Sequence, residues 1–293
     1  MSLRQRCVLF LALGLALAAT PAAAAPYLWE VLSMSNRVYL YGTVHAGRKE
    51  WFPLPREVEE AFEDARVLAV EADITDTNAL AGSARLMTYP APDALRAHVP
   101  LDDYERFVKL LPRYGLTEPQ VAPMKPFMAA SVLVFGEWAR VGYLPQYSVD
   151  AYLIRKAKAD LKPIVELEGN AAQITLMASL NEKEGAAMFK GTLDALENGL
   201  ANEQIAGIVG AWQNGDPQLV IEIARRYNER VPGAGAIEEK FVWSRHEAMA
   251  RKIEGFLNET RDRHFVAVGA LHLAGPRGLL EMLRKRGYVV RQL

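Results

Sequence analysis

The sequence predicts an α/β protein: a mixed central sheet flanked by helices, with a large helical insertion between the two halves of the sheet. Three observations predict it. Short runs of strand-forming apolar residues sit near both ends of the chain, at Val38-Tyr39-Leu40-Tyr41 and Phe265-Val266-Ala267-Val268. Long stretches between them carry apolar residues at helical spacing. No linker-like composition separates the two ends, so they read as parts of one body.

In chain order, residues 1–25 read as an export signal. Arg4 and Arg6 make a positive start, Val8 to Ala19 an apolar core, and Ala22-Ala23-Ala24-Ala25 a small-residue cleavage zone. The apolar run is shorter than the roughly 20 residues a bilayer span needs. Its removal leaves residues 26–293 as one α/β domain, periplasmic or secreted, with no stable membrane insertion. Cys7 is the only cysteine and leaves with the signal, so the remainder has neither disulfides nor thiolate metal ligands. Two of the 34 basic residues also leave, against 35 acidic ones, for a net charge of −3. That balance offers no electrostatic footprint for nucleic acid. A peptide or small-molecule substrate is the expected partner.

Tyr27 to Leu32 and Arg37 to Tyr41 read as two strands joined by the turn-forming Ser33-Met34-Ser35-Asn36. Pro55 opens a helix over Arg56 to Ala65. Val67 to Val70 is a buried strand that ends in Glu71-Ala72-Asp73. Helical spacing then recurs from Asn78 to Met87, Tyr104 to Leu111, Phe127 to Ala139 and Val149 to Ala159, with proline-rich joints between. Pro163-Ile164-Val165 is a further strand, followed by Glu166-Leu167-Glu168-Gly169. Helix follows helix from Ala171 to about Thr260, broken at Gly215-Asp216-Pro217 and Pro232-Gly233-Ala234-Gly235. Phe265 to Val268 is the last buried strand. A helix from Pro276 to Arg286, stopped by Gly287, leads to a closing strand over Tyr288 to Arg291.

Two of these strands end alike, in Gly42-Thr43-Val44-His45 and Gly269-Ala270-Leu271-His272. Polar groups just past the ends of buried strands gather at one rim of an α/β sheet, where ligands bind. The rim therefore receives His45, Glu71, Glu168 and His272. Two imidazoles with carboxylates are competent ligands for Zn, Mn, Co or Fe. Arg245 is a further candidate, because a guanidinium beside carboxylates orients an acid or holds an oxyanion. The other histidines read as structural: His98 as an exposed loop residue, His264 as an edge residue of the final strand. His246-Glu247-Ala248-Met249-Ala250 begins like the zinc-protease helix but has Ala250 where the second histidine belongs. Trp138, Trp212 and Trp243 read as core. The chain lacks a Gly-x-Ser-x-Gly elbow, a phosphate-binding loop and a catalytic cysteine.

These residues resemble the TraB/GumN family, within the wider group of Tiki peptidases, haem-binding ChaN proteins and erythromycin esterases. The resemblance rests on Tyr39 to His45, Val70 to Asp73, Ser148-Val149-Asp150 to Ala157-Lys158, and Lys162 to Val165. It continues in Leu167-Glu168-Gly169 with Gln173, Trp212 with Gly215-Asp216, and Val268 to Gly275. Gly169 stands where threonine is common, and His246 where asparagine usually follows the arginine. The resemblance implies an erythromycin esterase- and ChaN-like fold. It also implies an exported metal-dependent hydrolase, a Tiki-like metallopeptidase, with a divalent metal (Mn, Co or Zn) on His45, Glu71 and His272. Glu168 is then the general base and Arg245 the oxyanion stabiliser. Two other readings stay open: a metal-independent esterase-like hydrolase with a catalytic histidine, and a non-enzymatic haem- or ligand-binding protein.

Overall fold

A computed structural model describes residues 25–76, 85–259 and 261–293. The expected export signal thus lies outside the described residues almost entirely. So does most of the helix expected over 78–87, of which 85–87 are helical.

The described residues form one mixed sheet of six strands: β1 (Leu28–Leu32), β2 (Arg37–Thr43), β3 (Val67–Val70), β4 (Ile164–Glu166), β5 (His264–Gly269) and β6 (Val289–Gln292). Their spatial order is β4-β3-β5-β2-β1-β6. The first four in that order run parallel; β1 alone runs against them, pairing antiparallel with β2 on one side and β6 on the other. Helices cover both faces of the parallel part, which is why β3 and β5 are apolar along nearly their whole length.

Local chemistry sets the boundaries. The β1–β2 turn closes with the Ser33 N–H on the Asn36 carbonyl at 2.9 Å. The Asn36 side-chain amide ties it to Phe256 O, also at 2.9 Å. Helix Arg56–Asp64 buries Val58, Ala61 and Phe62, one stripe at helical spacing, and Phe62 meets Phe265 edge-on at 5.6 Å. Helices over 101–110, 126–140 and 149–159, and six more over 170–178, 182–197, 200–213, 217–230, 234–241 and 246–258, lie in the insertion as expected. The insertion has a core of its own, around Phe107, Leu133 and Phe189, apart from the core on the sheet. Among the described residues, no helix is long and apolar enough to cross a membrane.

Four expectations need correction. His264 is not at an edge: β5 lies between β3 and β2, and the buried His264 ring stacks on Phe256 at 4.0 Å. His98 is half-buried, stacked on Tyr89 at 3.9 Å with Nε2 on Asp93 at 2.9 Å. Trp212 is core, but Trp138 and Trp243 are only partly buried. The last helix spans Leu279–Lys285, because Pro276 to Gly278 is taken up by the turn that packs back on Leu273 and Ala274.

Candidate active site at the sheet rim

Because β4, β3, β5 and β2 are parallel, their C-terminal ends share one rim. Register places Thr43 beside Gly269, and Val70 beside both Ala267 and Glu166. Reading along the rim, Glu168 follows β4, Glu71 follows β3, His272 follows β5 and His45 follows β2. His272 reaches the centre because the chain turns at Gly269 directly into the one-turn helix Ala270–Leu273. Glu168 is fixed to its neighbour through the backbone: its N–H donates to the Glu71 carbonyl at 3.0 Å.

Arg245 stands in the middle. Its Nε donates to Glu168 Oε1 at 2.9 Å, and one terminal nitrogen bonds both Glu71 and Glu168. The other donates to Phe241 O at 2.7 Å and lies 3.2 Å from His272 Nε2. Gln173 bridges the same two carboxylates at 3.0 and 3.2 Å. The remaining Glu71 oxygen accepts the Gly269 N–H at 2.7 Å. Burial pushes the Glu71 pKa up, but the surrounding His272, Arg245 and His45, with the Gly269 N–H, carry it down to about 2. Burial takes His272 the other way, down to about 3, so it is neutral near pH 7. The charges that keep Glu71 ionised near pH 7 are therefore those of Arg245 and His45.

A hydrogen-bond chain fixes the state of His272. The Arg277 carbonyl only accepts, so His246 donates to it from Nδ1 at 2.8 Å. Burial holds His246 neutral, which leaves Nε2 as an acceptor for His272 Nδ1–H, also at 2.8 Å. The His272 lone pair is then on Nε2 and faces Arg245 and Glu71. His45 is supported in parallel. Its Nδ1 lies 3.0 Å from Asp150, whose other oxygen accepts the Thr43 hydroxyl at 2.7 Å. The Asp150 carboxylate raises the His45 pKa to about 9. With 61% of the His45 side chain open to the cleft, solvent screens part of that attraction.

The donors surround a small cradle over Gly269. A methyl group placed on Gly269 would lie 3.4 Å from His45 Nε2, 3.5 Å from Glu71 Oε1 and 3.6 Å from His272 Cδ2. Among the described residues, no three His, Cys, Asp or Glu side chains stand ready-made for a metal ion. The reason is visible: Arg245 fills the space beside His272 Nε2 and Glu71. The donor chemistry itself suits a divalent cation. Each imidazole has Nδ1 held from behind by a buried partner, the arrangement that orients metal-ligating histidines.

The five residues singled out by sequence thus lie together. Three participants carried no assigned role: Asp150, Gln173 and His246. Asp150 and Gln173 fall inside the motif blocks quoted above, so a signal was present. His246 reads in sequence as the start of a broken metalloprotease motif, because Ala250 stands where the second histidine belongs; its partners here, His272 and Arg277, follow 26 and 31 residues later. Asp73, the second carboxylate after β3, turns away to Lys158 at 2.8 Å.

Fold and site define the class of the molecule: an α/β protein with a histidine–carboxylate–arginine centre at the carboxyl rim of its sheet. Residues 27–292 match the TraB/PrgY/gumN family, and the chain belongs to it. It is 26% identical to the uncharacterized protein YbaP of Escherichia coli strain K12, over 88% of this chain and 93% of that one. It is 24% identical to the metalloprotease TIKI2 of Xenopus tropicalis, over 90% of this chain and 59% of the longer relative. A TIKI homolog of Amphimedon queenslandica is likewise 24% identical, over 91% of this chain and 61% of its own length. No solved structure gives a significant match.

Proposed function

We propose that this protein is an exported hydrolase of peptide bonds, assisted by Mn, Co or Zn on His45, Glu71 and His272. The observation that carries the reading is the matched support of the two imidazoles: Asp150 behind His45 leaves its Nε2 toward the Gly269 cradle, and His246 behind His272 leaves its Nε2 toward Glu71 Oε1, 3.6 Å away. Similarity to the TIKI metalloproteases supports the choice of reaction. When bound, the cation would lower the pKa of water and polarise the scissile carbonyl. Cation binding requires Arg245 to give up its bond to His272 Nε2, while its bonds to Glu168 keep it in the cleft. There the guanidinium faces charge developing on the carbonyl oxygen, and Glu168 accepts a proton from attacking water.

The decisive experiment is metal analysis of the purified protein beside its His45→Ala/His272→Ala double variant, with peptide cleavage assayed across Mn, Co and Zn. Metal content should fall in the variant and cleavage should need the cation. Equal metal content in both overturns the ligand set. One observation favours a second reading: Arg245 already occupies the space beside His272 Nε2. On that reading the His45–Asp150 pair alone handles the proton of water, and cleavage survives exhaustive chelation.

A further inference from the structure

Two cavities meet at the catalytic centre. One, of about 310 Å³, has Ile74, Leu176 and Met177 in its wall. The other, of about 370 Å³, has Val134, Trp138 and Ile208. His45, Phe135, Phe241 and Arg245 line both, so the reacting groups stand where the cavities join. The sheet rim supplies most of the polar groups, and the helical insertion supplies much of the apolar wall.

The mouth of this cleft is apolar without structural need. Ile74, Val134, Phe135 and Met177 are between 38% and 43% exposed, and all four line it. Large apolar side chains left exposed together around a cavity mark a binding surface. The charged groups Glu71, Asp150 and Arg245 are confined to the centre and already paired. Glu238, in the second cavity, is held by Trp243 at 2.7 Å and Asn228 at 3.0 Å. A charged substrate side chain among these apolar walls would lose most of its water, and the carboxylates there already accept hydrogen bonds from the protein.

Successive side chains of an extended peptide point to opposite sides. The two residues flanking one peptide bond therefore reach opposite cavities when that bond lies over His45 and Arg245. Cavities of this size accept groups as large as a leucine or phenylalanine side chain. We propose that the site selects peptides with an apolar residue on each side of the bond to be cut, one taken by each cavity. This rests on the hydrolase reading and specifies its substrate class.

The test uses the metal-supplemented protein and blocked hexapeptides, glycine at the outer positions and Leu, Phe, Gly, Asp or Lys at the central two. Cleavage is followed by mass spectrometry and binding by calorimetry. Peptides with Leu or Phe at both central positions should be cut at least about tenfold faster, in kcat/KM, than those with Gly or a charge at either. Val134→Asp and Met177→Asp, both at exposed positions, should each relax the preference at one central position, and not the same one. Thermal melting confirms that both variants fold. Equal cleavage of the Gly and Leu/Phe peptides, or preference for charge, overturns the inference and leaves the hydrolase reading intact. If nothing is cut, that reading fails and binding decides: tighter binding of the Leu/Phe peptides, weakened by both variants, sustains apolar recognition. Indiscriminate or absent binding overturns it.

Discussion

At the scale of single residues, two glycines that look equivalent in sequence do different work. Gly269 has φ −52° and ψ 138°, a conformation open to any residue. Gly269→Ala should therefore keep the fold, and gain up to about 1 kcal/mol through the unfolded chain. Its methyl would fill the cradle between His45, Glu71 and His272, so cation uptake and cleavage should fall by at least about tenfold. Gly42 is the reverse: a methyl there overlaps the Tyr27 ring, and Gly42→Ala should cost about 1–3 kcal/mol in denaturant unfolding. His246 offers a second residue-scale prediction. His246→Ala removes the acceptor for His272 Nδ1–H and frees the ring to change tautomer; His246→Gln restores an acceptor oxygen. Nitrogen-15 shifts of the His272 ring should show one tautomer in the native protein and in the Gln variant, and a mixture in the Ala variant. Cation affinity should drop about 10–100-fold in the Ala variant alone.

At the scale of elements, helix Val149–Ala159 holds Asp150 behind His45. Ser148 caps that helix by accepting the Ala151 N–H at 3.1 Å, and the Val149 N–H reaches Val44 O at 3.2 Å, just before His45. Ser148→Ala should cost about 1 kcal/mol in global stability. It should also depress activity more than that loss explains, which paired melting and kinetic measurements would reveal. The strands and their rim were legible in sequence because buried parallel strands are continuous apolar runs that end abruptly in polar residues. Pattern gives each strand but not its neighbours, and so His264 was expected at an edge although β5 lies inside the sheet. The relay through His246 was illegible for a related reason: its acceptor is a backbone carbonyl, which leaves no mark on composition.

At the scale of the whole molecule, the ionisable groups of the centre shape stability in the chelated protein. Glu71 has a folded pKa of about 2 against 4.5, so its contribution is complete above about pH 4.5 and lost as pH falls toward 2. His272 is held neutral with a pKa near 3, so protonation in the unfolded chain penalises the fold as pH drops below 6.5. His45 acts oppositely: raised to about 9, its contribution is complete below pH 6.5 and lost as pH climbs through 9. The melting temperature should therefore peak near pH 6.5, and His45→Asn should flatten the alkaline decline. A maximum at pH 9 would contradict these assignments. The pairing of β2 with β5 sets Val38 beside His264, so one strand waits for a partner made more than two hundred residues later. Until it arrives there is no Gly269 cradle and no His272, and a nascent or prematurely ended chain has no complete centre. Long-range parallel pairing is also slow to form. The order in which the ribosome releases the chain thus works as a delay, keeping the cleft incomplete until β5 and the residues that follow it have been made.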